Sequence, residues 1–299
     1  MDPEQALAGR VALVTGSSRG IGRAIAQRLA AAGAIVVVTA RSHEEPSVAK
    51  RFGKKHKIAG TLRETVKLIE DAGGKAIAIT ADLEDEGQRD ALIKRAADAA
   101  GGVVDILVNN AGFADYARVE DMAMKTFDRT VDHYLRAPFA LAKKAIGPMK
   151  ERGEGWIVNI GSITALPPSR PYAEYAKDGG DVIYASIKAA LHRMTQGLAA
   201  ELVDHGIAVN AVGPSTAIRT PGADALIPQG YPTEDVEYLA QTVLEMCHRP
   251  ASERTGLVAY SMHYPHHHGL TVRTLDGTGT MPDAAIPETA HPDTSATGE

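Results

Sequence analysis

The chain has 299 residues, is 44% hydrophobic and carries a formal net charge of −5. It is long enough to bury a substantial core, and its charge gives no general reason to expect nucleic acid or an anionic membrane as partner. Its single cysteine, Cys247, excludes an internal disulfide and sits in no catalytic-cysteine motif, which fits a reducing compartment. The start, MDPEQALAGR, is polar and acidic rather than a secretory leader. Apolar stretches such as AIVVVTA fall far short of the roughly 20 residues of a membrane span. A cytoplasmic globular protein is the expectation.

The first apolar run, VALVT (11–15), leads straight into Thr15-Gly16-Ser17-Ser18-Arg19-Gly20-Ile21-Gly22 and then a helical pattern, IGRAIAQRLAAAG. Glycines at a strand–helix junction allow a tight turn and close backbone approach, while free amides and the helix dipole attract a phosphate. Gly16, Ser18, Arg19, Gly20, Ile21 and Gly22 are therefore cofactor-binding candidates.

The second run, AIVVVT (34–39), ends in Ala40 and Arg41. A site for NAD would carry Asp or Glu about there to hold the ribose 2′-hydroxyl. With no acid at that position, and with Arg41 and Arg19 able to grip a 2′-phosphate, the pattern predicts NADP(H). Glu44 and Glu45 dissent. A long link follows (42–60) in which Lys50, Arg51, Lys54, Lys55 and Lys57 cluster, read as a solvated surface loop.

A helical pattern, TLRETVKLIEDAGG, precedes the third run, AIAIT (76–80), which is followed by Asp82-Leu83. Helical EGQRDALIKRAADAAGG then leads to VDILVN (104–109) and NNAG (109–112). Gly33, Gly73 and Gly101 stand where left-handed helix caps are wanted. A helix is expected near 124–150, then WIVNI (156–160), which runs into Ser162, then a helix over 182–204 and the sixth run, IAVNAV (207–212). Apolar runs alternating with amphipathic segments predict an α/β fold: a single-domain, Rossmann-like, doubly wound parallel sheet with helices on both faces.

Residues 171–188, PYAEYAKDGGDVIYASIK, contain Tyr172, Tyr175 and Tyr184. A phenol with an ordinary pKa of about 10 works as an acid near neutrality only beside a fixed cation. Only Tyr184 has a lysine four residues on, Lys188, on the same helix face.

Together these residues resemble the short-chain dehydrogenase/reductase family over about residues 8–275. The resemblance rests on TGSSRGIG (15–22), Asp82-Leu83, NNAG, Ser162 in VNIGS, Tyr184-x-x-x-Lys188, and Asn210 with Pro214. It implies that Tyr184 passes a proton to or from the substrate oxygen and that Ser162 holds and polarises that oxygen. Lys188 is implied to lower the tyrosine's pKa and to bond the nicotinamide ribose. Asp82 with Leu83 is implied to face the adenine, and Asn109 the adjoining ribose. The implied activity is NADP(H)-dependent hydride transfer between nicotinamide and a ketone, aldehyde or 3-oxoacyl group. The alternative is a catalytically lapsed NADP(H)-binding sensor or assembly subunit. A homotetramer or homodimer is usual in the family.

Four departures bear on the site. Ser162 stands 22 positions before Tyr184 and 13 before Tyr175, so an insertion of about nine residues within 167–181 is expected. Where the family carries a helical asparagine thought to support a proton path, VDHYLRAPF places Tyr134. An altered relay through Tyr134 and a path elsewhere are both open. Pro214-Ser215 replaces the usual Pro-Gly, and about 213–235 is read as a mobile lid. His263, His266, His267 and His268 have no acid or cysteine at a ligand spacing, so a surface loop or subunit contact is read there and no metal. Domain limits are set at 1–275, with 276–299 a polar, flexible tail.

Overall fold

The computed structural model describes residues 5–45, 47–51, 54–113, 115–224, 227, 229–287 and 291. In chain order its elements begin β1 (Val11–Thr15), α1 (Gly20–Ala31), β2 (Ile35–Ala40), β3 (Ser47–Arg51), β4 (Lys54–Ile58), α2 (Leu62–Asp71), β5 (Lys75–Thr80), α3 (Glu86–Ala100) and β6 (Ile106–Asn109). They continue with α4 (Met124–Val131), α5 (Ala137–Arg152), β7 (Gly155–Ile160), α6 (Glu174–Asp178), α7 (Val182–Leu202), β8 (Ile207–Gly213), β9 (Ala217–Ile218), β10 (Thr233–Glu234), α8 (Val236–Glu245), β11 (Val258–Tyr260) and α9 (His263–His267).

Seven strands form one parallel sheet in the order β11-β8-β7-β6-β1-β2-β5. Side chains alternate between its faces. Ala12, Val14, Val36 and Val38 pack with Ile25 and Leu29 of α1 and Leu239 and Val243 of α8. Leu13, Val37, Leu107 and Ile157 pack instead with Leu92 of α3, Leu141 of α5 and Leu202 of α7. Covering both faces explains why the strands read as continuous apolar runs. Strand order reverses direction about β1, so the loops after β1 and β6 part and leave a crevice at the carboxyl edge.

Local signals place the helices. Thr61 and Glu64 form a capping box at the start of α2. Asp85 caps α3 by accepting the Gln88 N–H at 2.9 Å. Gly33, Gly73 and Gly101 take φ of 95°, 82° and 70°, the left-handed conformation expected of them.

Two segments differ from the sequence reading. The link over 42–60 contains an antiparallel hairpin, β3 with β4, running in register from Ser47 opposite Ile58 to Arg51 opposite Lys54. The side chains of its basic cluster lie outside the described residues. The helix expected near 124–150 is split by a π-helical turn, Asp132–Arg136, in which the Ala137 N–H bonds to the Asp132 carbonyl. Pro138 has no N–H to give the carbonyl of Tyr134, so regular pairing fails there.

Near the C-terminus, Met281, Ala284 and Ile286 pack against Tyr238, Met262 and Val272, and the Tyr238 hydroxyl donates to the Pro282 carbonyl at 2.9 Å. Residues 288–290 and 292–299 lie outside the described residues. No helix among the described residues is long and apolar enough to cross a membrane.

Candidate active site

A cavity of about 550 Å³ lies at the carboxyl edge of the sheet. Gly16, Arg41, Ala81, Asn110, Gly161 and Pro214, which directly follow β1, β2, β5, β6, β7 and β8, all line it. Six loops thus converge because six parallel strands end on one side.

At one end is the glycine turn. Gly16 has φ +65°, and a Cβ there would lie 2.7 Å from the Ala111 Cα. A Cβ on Gly22 would overlap Asn110 Nδ2 and come within 2.5 Å of the Gly16 carbonyl oxygen. Helix α1 starts at Gly20 with no acid in its first turn and no side-chain cap from Arg19. Its first amides and dipole therefore offer an anion site. These features fit the pyrophosphate of a dinucleotide.

Ser18, Arg19, Gly20 and Ile21 line the same end, with Arg41, Asp82 and Leu83 beyond them. Arg19 donates to the Ile58 carbonyl at 2.5 Å, which ties the turn to the β3–β4 hairpin. Burial and the nearby Arg23 and Arg41 hold its guanidinium below the usual arginine range. That is a concentration of positive charge suited to an anion. The dissenting Glu44 leans toward Arg63, at 3.9 Å, and neither it nor Glu45 lines the cavity.

Asn109 is placed elsewhere. As the last residue of β6 it is buried and donates to Asn159 Oδ1 at 2.9 Å, while Asn159 donates to Thr195 Oγ1 at 2.9 Å. That chain of amides braces the sheet against α7. Asn110 lines the cavity instead, with its Nδ2 donating to the Thr15 and Gly16 carbonyls at 2.8 and 3.2 Å. One residue of strand alternation separates the two outcomes.

At the other end Ser162, Tyr184 and Lys188 meet. Ser162 follows β7; Tyr184 and Lys188 lie one turn apart on α7. Burial pushes the Tyr184 phenol up to about 12, against hydrogen bonds with Ser162 and Tyr116 that pull it down. Burial also lowers the Lys188 ammonium to about 7. Its Nζ donates to the Ile160 carbonyl and stands 5.7 Å from the Tyr184 ring centroid. The insertion before α7 folds as a loop with the short helix α6. It brings Tyr175 to the cavity wall, hydrogen-bonded with Asp181, while Tyr172 stays outside, paired with Arg170.

Sequence reasoning missed Tyr116, whose ring centroid lies 5.3 Å from that of Tyr184. Nothing in its spacing marks it. It also missed His192, one turn past Lys188, whose Nε2 faces the Ser162 N–H at 3.4 Å; the i+4 spacing was the available signal. The segment after β8 crosses the cavity through Thr220, Ile227 and Tyr231, and its two ends are joined by pairing of β9 with β10. His263 Nδ1 meets Ser215 Oγ at 2.9 Å, and no metal-binding group of three is found among the described residues.

Comparison with known proteins places this geometry. A family model described as short chain dehydrogenase matches residues 10–229. The 3beta-hydroxysteroid dehydrogenase 1 of Eggerthella lenta is 35% identical over 239 residues, 75% of this chain and 82% of that protein. The NADPH-dependent aldehyde reductase-like protein of Arabidopsis thaliana is 35% identical over 218 residues, 71% of this chain and 74% of that one. The crystal structure of a short-chain type dehydrogenase/reductase from Mycobacterium marinum superposes with a TM-score of 0.68 at 29% identity, covering 85% of this chain and 94% of that one.

Proposed function

The chain belongs to the short-chain dehydrogenase/reductase family, and we propose that within it this protein is an NADP(H)-dependent oxidoreductase of a small carbonyl or alcohol substrate, with Tyr184 as its acid and base. The observation that carries this reading is the convergence of Ser162, Tyr184 and Lys188 at one end of a cavity whose other end is an uncapped glycine turn.

The glycine turn and the α1 amides would hold the pyrophosphate, and Asp82, Leu83 and Asn110 line the stretch where an adenosine would lie. Arg19 and Arg41 would grip a 2′-phosphate; among the described lining residues the carboxylates are Asp82 and Asp115. The name of the Arabidopsis relative is in keeping with that choice. When bound, the nicotinamide supplies or accepts the hydride.

The protein's part is orientation and one proton. The Ser162 hydroxyl holds the substrate oxygen, and Tyr184 Oη gives it a proton as the carbonyl becomes an alcohol, or takes it back in the reverse direction. Lys188, one turn below, supplies the charge that makes the phenolate accessible; the ammonium retains donors for the nicotinamide ribose beyond the one given to Ile160. Tyr116, Tyr175 and Tyr231 wall the substrate end with rings.

The test is NADPH oxidation against a panel of ketones, aldehydes and 3-oxoacyl thioesters. Turnover with at least one substrate, abolished in Tyr184→Phe while NADPH binding persists, is the expected result. Binding of NADPH with no turnover on any carbonyl, and none with the corresponding alcohols and NADP, would instead make the chain a cofactor-binding subunit.

A further inference from the structure

Lys188 is a cation nine-tenths removed from solvent, yet no carboxylate pairs with it among the described residues. A buried ammonium without a counter-charge is costly unless something else meets it. The structure supplies two groups. One is the Ile160 carbonyl. The other is the face of the Tyr134 ring, whose centroid lies 4.3 Å from Nζ, well inside the range at which a ring quadrupole attracts a cation.

Tyr134 is fixed from several sides. Its hydroxyl donates to the Phe113 carbonyl and accepts the Phe113 N–H at 2.7 Å. Its one donor and one of its acceptor sites are therefore engaged by the Phe113 backbone. Its ring stands edge-on to that of Tyr184, with centroids 5.2 Å apart. Any side chain at Gly112 would overlap the Tyr134 ring. The π-helical turn Asp132–Arg136 sets the residue at this position, and such turns gather at functional sites.

Resting on the reading of Tyr184 and Lys188 above, we propose that Tyr134 is a positioning residue that clamps Lys188 by its ring face, keeping the ammonium charged and aimed beneath Tyr184. Around the pair, the titratable groups are Tyr184 and His192 from α7, Tyr134 from the π-helical turn and Tyr116 from the loop after β6. His192 stays neutral because burial and Lys188 lower it to about 4, so it does not compete for the charge.

The experiment follows the Lys188 side chain by NMR in protein labelled with carbon-13 at the lysine ε position, without cofactor or substrate. Its resonance is assigned by its loss in Lys188→Met. Tyr134→Phe, which keeps the ring, is expected to titrate with wild type, and Tyr134→Leu to titrate about one pH unit lower. Because Tyr134→Leu is liable to unfold, the ring is also replaced by phenylalanine carrying zero, two or three fluorines, which preserves shape and drains the quadrupole. A stepwise fall in the Lys188 midpoint supports the clamp. A flat series, or a Phe variant displaced as far as Leu, overturns it. Failure of the carbonyl panel with a graded titration would leave the clamp standing and remove the reaction assignment; the opposite pair of results would do the reverse.

Discussion

His192 braces Ser162 from behind: its Nε2 accepts the Ser162 backbone N–H at 3.4 Å. The preceding residue is glycine because any Cβ on Gly161 would overlap that ring nitrogen. Helix α7 thereby holds the serine with the same face that carries Tyr184 and Lys188. Replacing His192 with Leu leaves the Ser162 amide without its acceptor and frees the loop to drift. Small displacements of an oriented hydroxyl are expensive, so turnover on the best panel substrate is expected to fall roughly 10- to 100-fold. NADPH affinity, measured by fluorescence titration, is expected to stay within about twofold of wild type, because the serine lies away from the glycine turn.

The glycine turn gives a sterically defined prediction. Gly22→Ala places a methyl against Asn110 Nδ2 and the Gly16 carbonyl, both of which are held by the hydrogen bonds of the turn. Overpacking of this kind costs about 1–3 kcal/mol, so the melting temperature should drop and NADPH binding should weaken more than tenfold. Gly197→Ala is the control. It lies within α7, its would-be Cβ meets only the end of the Arg193 side chain, at 3.4 Å, and it should stabilise the chain by about 0.5–1 kcal/mol.

Cofactor choice turns on Arg41. The residue lines the cavity just past β2, and Arg41→Asp would install the acid that an NAD site uses there. Calorimetric titration should show NADPH affinity lowered by 10-fold or more, with NADH affinity level or improved. Equal affinity of the wild-type protein for the two cofactors would defeat the assignment.

Glu234 makes stability depend on pH. Its carboxyl is buried in β10, where it accepts Ser261 Oγ at 2.6 Å and the Thr216 N–H at 3.3 Å, and burial pushes it up to about 7. Asp235 is its charged neighbour, and His263 stands across the Ser215–Ser261 pair. The folded chain therefore holds this proton more tightly than the unfolded chain. The stabilisation is full below the ordinary carboxylate range and is lost as pH rises through about 7. Thermal melts of Glu234→Gln against wild type should show the variant gaining between pH 5 and 8, by on the order of 2 kcal/mol. A constant difference across that range would show that the carboxyl is ionised throughout.

Much of the molecule was determined by local sequence. Alternation of VALVT-type runs with amphipathic segments specifies a parallel sheet covered on both faces. The glycines at 16, 20 and 22 specify a tight turn into a helix, and the four-residue spacing of Tyr184 and Lys188 specifies a shared face. Each of these depends on residues close together in the chain, where backbone geometry translates spacing into position.

What tertiary structure alone decided involves partners far apart in sequence. Asn110 rather than Asn109 lines the cavity because β6 sits in register with β7, which engages Asn109 with Asn159. Tyr134 meets Lys188 with its ring because its hydroxyl is captured by Phe113, 21 residues earlier. Tyr116 reaches Tyr184, and His192 reaches Ser162, only once separate loops converge at one sheet edge. Such contacts depend on how elements stack and on which hydrogen bonds are already taken, and neither is encoded in the spacing of residue types along the chain.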